Sequence, residues 1–179
     1  HTLGLARHWH FASVLFWVGN GAIYVTMLFV TSHWRRLVPT SPRIFPEAWA
    51  VFVHYATFHL PPEPNGFFQY NALQQLSYFA VIFILAPLSI LTGPAMSPAL
   101  VNRFHWYRRL PGNRQVGRSI HFLLLCAYVL FVIAHVSMVF ITGFARNMNH
   151  IVINRDDLMW FGMYIGLSGL VILFLLNVM

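Results

Sequence analysis

The segment Ser119–Thr142 constrains this chain most, because it is an unbroken apolar run of 24 residues without a formal charge. Crossing about 30 Å of hydrocarbon takes about 20 helical residues. Four segments meet that length: Phe11–Val30, Leu76–Met96, Ser119–Thr142 and Leu158–Met179. In lipid a helix satisfies its own backbone polar groups. The sequence therefore predicts an all-α transmembrane bundle with four spans.

Composition agrees with a membrane protein. The chain is 58% hydrophobic and 8% charged, whereas an ordinary soluble domain is about a quarter charged. We expect a single membrane domain over residues 1–179, with membrane lipid around it. The net charge of +7 comes from arginines placed in short connections between apolar runs. That placement favours lipid head groups, cofactor carboxylates or a partner subunit, and we expect no nucleic-acid binding.

A fifth apolar stretch, Pro46–Leu60, is too short to span a membrane. Its apolar residues recur at helical spacing, with Pro46 at its start and Pro61-Pro62 after its end. We expect an amphipathic helix at the interface. The chain begins at a histidine and stops inside an apolar run, so we also expect it to be a fragment of a longer one.

Two histidines of the uncharged segment carry the functional prediction. His121 and His135 are fourteen residues apart, which places them about 40° apart on one helix face and about 21 Å apart along the axis. Titratable side chains at membrane depth are costly and usually mark a functional site. Imidazole is a common axial ligand of haem iron. One helix with a histidine near each membrane surface suits two b-type haems stacked across a bilayer.

His10 is the candidate partner of His121. With four spans, the first and third run parallel, and each of these histidines opens its span. His8 points about 200° away around the helix and cannot serve the same iron. We expect a haem between His10 and His121. The alternative is that His8 and His10 are interfacial histidines in an aromatic-rich boundary.

His135 leaves three possibilities open. Its partner lies outside these 179 residues, or is His54 or His59 in the short apolar segment, or His135 is no ligand and is hydrogen-bonded inside the bundle. The second and fourth spans contain no histidine. We expect the first possibility.

Arginines and hydroxyls near the two histidines are further candidates. Arg7, Arg114 and Arg118 lie at the predicted His10–His121 face and could neutralise haem propionates or snorkel to the interface. A ligating imidazole usually donates its other N–H to an oxygen. The hydroxyls nearest in sequence belong to three residues: Ser119, Ser137 and Thr142.

Several motifs, in order, resemble one family. The run Arg7-His8-Trp9-His10-Phe11 is similar to the second transmembrane helix of the bacterial di-haem cytochrome b family, the b561 or nickel–iron-hydrogenase type. Tyr70–Tyr78 resembles the opening of its third helix, and Leu91-Thr92-Gly93 that helix's end. Gly117–Phe122 resembles the lead into the fourth. The resemblance covers about residues 5–150.

This resemblance implies ligand roles. It implies that His10 and His121 bind one haem, and that His135 binds a second with a histidine from a helix before Arg7 that this sequence lacks. It also places His10 and His121 on the periplasmic face of the bacterial inner membrane.

The resemblance further implies a multi-pass electron-transfer subunit that joins a peripheral or periplasmic oxidoreductase subunit to the quinone pool. Such a subunit is not itself catalytic. We expect the quinone site in the His33–His59 segment. The alternatives are a membrane anchor without haem and a histidine-lined transporter. A transporter would usually carry acidic residues within its spans, and the four acids here lie in connections.

Overall fold

The computed structural model describes residues 2–59, 69–104, 106–107 and 113–178. Three helical stretches within these residues are long and apolar enough to cross a membrane: Gly4–Val30, Ala72–Ala95 and Arg114–Ile141. A shorter apolar helix covers Phe161–Leu175. The predicted all-α class and helical membrane bundle are confirmed. Met179, the predicted end of the last span, lies outside the described residues.

The described helices follow one another along the chain. Their bounds are α1 Thr2–Val30, α2 Trp34–Leu37, α3 Ile44–Ala56, α4 Ala72–Phe79, a π-helical turn Ala80–Leu85, α5 Ala86–Ala95, α6 Pro98–Arg103, α7 Arg114–Ile141, α8 Phe144–Ile153 and α9 Phe161–Val178. Their contacts divide the chain into two units. Unit 1 comprises 1–62 and 70–79, and unit 2 comprises 63–69 and 80–179. The prediction of a single domain over 1–179 stays a prediction.

In unit 1, α2 and α3 pack on α4. Asn71 begins α4 with a reciprocal cap, because its Oδ1 accepts from Gln74 N–H at 2.9 Å while Gln74 Oε1 accepts from Asn71 N–H at 3.1 Å. Asn71 Nδ2 also reaches the Tyr55 hydroxyl on α3 at 3.1 Å. Gln75 Nε2 donates to the Arg36 carbonyl at 3.0 Å. The Tyr70–Tyr78 motif thus holds three helices together through polar groups.

The predicted short helix at 46–60 is present as α3, Ile44–Ala56. It begins two residues before Pro46, which sits in the first turn, where a helix tolerates the missing N–H of proline. Ile44 and Ala48 are buried, whereas Phe45 and Trp49 are largely exposed. The helix itself is present as predicted, and its place at the membrane interface stays a prediction. Leu60, its predicted end, and the Pro61-Pro62 that follows lie outside the described residues.

The second long apolar helix contains a π-helical turn just before Pro87. Proline lacks the N–H that would bond four residues back, and its ring crowds that carbonyl. A π turn accommodates such a defect without ending the helix. The helix accordingly continues past Pro87 and Pro94 to Ala95.

In unit 2, α7 packs on α5, α8 follows α7 through Gly143 (φ 118°), and α8 packs on α9. Asn149 on α8 is fully buried. Its Oδ1 accepts from the Gly162 N–H at 2.8 Å, and its Nδ2 reaches the carbonyls of Asp157 and Met159 at 3.1 and 2.5 Å. One amide therefore fastens α8, the connection and the start of α9. A Cβ at Gly162 would collide with Asn149, so only glycine fits there.

A second polar cluster lies beside this amide. Arg146 donates from Nε and Nη2 to the two carboxylate oxygens of Asp156 at 2.7 and 3.1 Å, which raises the pKa of the guanidinium. His150 Nε2 lies 2.7 Å from Asp156 Oδ1. A bidentate arginine–carboxylate pair is directional as well as attractive. Together the two clusters fix the α8–α9 connection.

We expect Asn149→Ala to loosen the α8–α9 pair. The substitution leaves buried N–H and C=O groups without their partner, at a cost of about 1–3 kcal/mol per unpaired group. Thermal unfolding of the purified protein in detergent, followed by circular dichroism, should show a lower Tm. Asn102→Ala is the matched control, because Asn102 is exposed on α6. Equal melting of the two variants would contradict this role for Asn149.

Candidate functional site

Both predicted histidines lie on the partly buried face of α7, which packs against other helices of unit 2. His121, Tyr128, Phe131 and His135 are each partly buried, and Leu124 between them is buried. The neighbours Phe122, Leu123 and Leu125 are exposed. Because α7 is continuous from Arg114 to Ile141, the two imidazoles lie on one stripe, separated by about 21 Å along the axis.

His121 contacts α5 through a hydroxyl. The Oγ1 atom of Thr92 lies 2.9 Å from His121 Nδ1, and Thr92 is only 4% exposed. The same oxygen lies 2.7 Å from the Leu88 carbonyl. A Cβ built on the next residue, Gly93, would lie 3.6 Å from His121 Cε1. The end of α5 thus contacts one edge of the imidazole through the Thr92 side chain, and Gly93 has no side chain that would touch the ring.

This contact was missed from the sequence. Ser119 and Ser137 are exposed, and Thr142 donates to the Met138 carbonyl at 2.8 Å while accepting from Asn147 at 2.9 Å. Thr92, the actual neighbour, comes from a different helix. The sequence feature that could have indicated Thr92 is a hydroxyl within an apolar span, directly before a glycine.

Three further contacts hold this corner of unit 2. The hydroxyl of Tyr107 donates to the Leu91 carbonyl at 2.6 Å, and burial raises the pKa of that phenol. Arg114 Nη2 reaches the Met96 carbonyl at 3.4 Å. Asn113 caps α7 by accepting from the Val116 N–H at 2.9 Å. The first turns of α7 and the end of α5 are therefore tied together near His121.

His135 sits near the other end of α7. Its ring stacks on Phe131, with centroids 5.5 Å apart and planes 18° apart. The side chain is partly buried. A flat aromatic contact restricts the orientation of an imidazole without using its nitrogens.

The remaining predicted ligands lie in unit 1. His10 and Arg7 are exposed on α1, and the His10 ring lies 5.7 Å from Phe11. His54 is exposed in the last turn of α3, and His59 Nδ1 lies 2.9 Å from the Thr57 carbonyl. The pairing of His10 with His121, and of any histidine with His135, stays a prediction.

One exposed cation lies close to His121 on α7. Arg118 is exposed on α7, three residues before His121, where helix neighbours meet. Within the described residues, no three His, Cys, Asp or Glu side chains come together as a metal-binding group. A haem iron with two axial imidazoles needs only one histidine from each side.

Unit 1 contains a cavity at the end of α1. It has a volume of about 280 Å³ and is lined by Tyr24, Met27, Leu28, Thr31, His33, Arg36, Leu37 and Tyr70. Arg36 lies over the Tyr70 ring at 5.0 Å. Apolar walls with phenol, imidazole and guanidinium groups suit a flat, weakly polar ligand.

Comparison with known sequences places the chain in a family. Residues 1–152 match the family described as prokaryotic cytochrome b561. The chain belongs to that family. It is also similar to the putative protein-methionine-sulfoxide reductase subunit YedZ1 of Azospira oryzae (strain ATCC BAA-33 / DSM 13638 / PS), with 31% identity over 139 residues. The alignment covers 76% of this chain and 66% of that relative, so the chain spans just under two thirds of its length. No solved structure matches the chain.

Family membership confirms the resemblance found in the sequence. It supports haem b as cofactor and a membrane electron-transfer role. With the apolar helices, it also supports a bacterial multi-pass membrane protein. The individual ligands, the number of haems and the redox partners belong to the proposal below.

Proposed function

We propose that this chain is a haem b subunit of the bacterial inner membrane that passes electrons between quinone and a peripheral oxidoreductase subunit. One observation carries the proposal: the uncharged segment of α7 in a cytochrome b561 family member presents two partly buried histidines, fourteen residues apart, on the face that packs inward. Haem b supplies reversible one-electron transfer when bound. Two axial imidazoles leave no open position for substrate at the iron.

In this proposal the ligands follow the sequence expectations. His10 and His121 hold one iron, and His135 holds a second with a histidine outside these residues. His54 is the alternative partner within the chain. Arg7, Arg114 and Arg118 neutralise propionates at the His10–His121 end.

The partner follows from the relative's name. YedZ1 is described as a subunit of a putative protein-methionine-sulfoxide reductase. We therefore propose that the partner is a peripheral reductase on the periplasmic face and that quinol is the electron source. This chain contributes no residue to the substrate chemistry of that partner.

The ligand assignment predicts a pattern of haem loss. His10→Ala, His121→Ala and the double variant should each lose the same single haem, because either substitution removes one of two axial ligands. His135→Ala should lose the other haem. Pyridine haemochrome quantification and reduced-minus-oxidised spectra of the purified protein measure both.

His8→Ala is the matched control, because it lies two residues from His10 on another side of the helix and should keep both haems. Additive loss in the His10/His121 double variant would show that these histidines serve different irons. A colourless wild type, purified under conditions that retain haem, would instead favour the haem-free anchor or the transporter.

We place the quinone head group in the unit 1 cavity. By helix arithmetic, Tyr24 lies as far along α1 from His10 as His135 lies along α7 from His121. Quinone carbonyls need hydrogen-bond donors, which the phenols of Tyr24 and Tyr70 and the Arg36 guanidinium supply. Met27, Leu28 and Leu37 provide apolar wall for the ring.

This placement predicts weaker quinol use when the donors are removed. Tyr24→Phe or Tyr70→Phe should raise the apparent KM for a soluble quinol analogue about two- to tenfold, as one hydrogen bond contributes about 0.5–1.5 kcal/mol. Stopped-flow haem reduction measures it. Tyr164→Phe on α9, an exposed tyrosine outside the cavity, is the control. Unchanged KM in both cavity variants would remove the quinone from this cavity.

A further inference from the structure

The atoms around the buried contact between α5 and α7 determine the direction of its hydrogen bond. Thr92 is almost fully buried, and its hydroxyl oxygen lies between two close polar atoms, the Leu88 carbonyl oxygen at 2.7 Å and His121 Nδ1 at 2.9 Å. The Ser89 carbonyl oxygen is farther away, at 3.5 Å. A threonine hydroxyl has one proton to donate and lone pairs to accept with. The neighbour that receives the hydroxyl proton decides which of the two ring nitrogens carries the proton of the neutral imidazole.

The carbonyl oxygen settles the direction. A carbonyl can only accept, and the Leu88 carbonyl is the closer of the two neighbours, so the Thr92 hydroxyl donates to it. This is the usual bond of a helical threonine to the carbonyl four residues earlier. The Thr92 oxygen then has only lone pairs to offer His121, and Nδ1 must be the donor.

We propose that Thr92 is the positioning residue of His121: its hydroxyl holds the proton on Nδ1 and leaves the Nε2 lone pair for the iron. This rests on the proposed function, in which His121 is a haem ligand. A neutral imidazole carries one proton on one of its two nitrogens, and the nitrogen that is engaged as a donor fixes which one binds metal. The contact therefore selects the ligating tautomer before any haem arrives.

Gly93 completes the arrangement. A Cβ built on Gly93 would lie 3.6 Å from His121 Cε1, the ring atom bonded to both nitrogens, which is ordinary van der Waals contact. The glycine leaves that space beside the ring open. Thr92 thus orients the imidazole while its neighbour leaves room beside it.

The Nδ1–H···O bond should also tune the electron affinity of the iron. A hydrogen bond from the non-ligating nitrogen raises the basicity of the imidazole, which favours the ferric state. Thr92→Val keeps the branched shape and removes the acceptor. We expect the midpoint potential of the His121 haem to shift upward while the other haem keeps its potential. Haem affinity at this site should fall about 10- to 100-fold, as for other partners of metal-bound histidines.

The test uses the full chain in detergent or nanodiscs. Potentiometric titration with optical and EPR detection compares wild type, Thr92→Val and Thr92→Ser, and haem is quantified per chain. Thr92→Ser retains the hydroxyl and should restore the wild-type potential and EPR signal. Thr26→Val is the matched control, because Thr26 makes the same bond to a carbonyl four residues earlier, at 2.8 Å, on exposed α1.

The outcomes separate this proposal from the proposed function. If Thr92→Val keeps the wild-type potential, EPR signal and haem content while His121→Ala loses a haem, Thr92 does not position the ligand and the haem assignment stands. If wild type binds no haem, or His121→Ala keeps both, the ligand assignment itself fails. Should the valine variant not fold, Thr92→Ala replaces it. A serine variant that then behaves like alanine would overturn the proposal.

Discussion

A polar imidazole inside an apolar helix is the constraint from which the rest of unit 2 follows. Burying an unpaired polar group in such a place is unfavourable, and His121 meets this cost through the Thr92 hydroxyl on α5. That contact fixes the position of α5 along α7 and the rotation of each helix about its own axis. Arg114, which reaches the Met96 carbonyl, connects the same two helices at their ends, and Asn113 caps the start of α7.

Apolar surface alone does not determine which helices pack against each other in a membrane. Lipid tails are as apolar as leucine, so packing, close approach and hydrogen bonds must select helix partners in a membrane. The chain places such groups at helix ends. Asn71 joins α3 to α4 in unit 1, and Asn149 joins α8 to α9 in unit 2. Between these polar contacts the helices expose long apolar faces.

The sequence predicts what depends on one helix at a time. Length and missing charge identified the long spans, and a spacing of fourteen put His121 and His135 on one face. It did not identify Thr92, because spacing within α7 carries no information about which residue of another helix meets His121. It also treated the stretch after Thr142 as a connection, whereas Phe144–Ile153 is helical. That helix depends on the buried Asn149, whose partners lie eight to thirteen residues onward.

The contacts of the arginines indicate which of them is available to bind a haem propionate. Arg146 is already held by both oxygens of Asp156, and Arg114 extends to a carbonyl at the end of α5. Arg118 is exposed and lies three residues before His121, so the two side chains emerge from neighbouring positions on α7. A haem ligated by His121 would bring its carboxylates to the membrane surface, where a guanidinium can bind one with two parallel hydrogen bonds. Of the predicted arginines on this helix, Arg118 therefore fits that role best, and Arg114 serves first to hold α7 against α5.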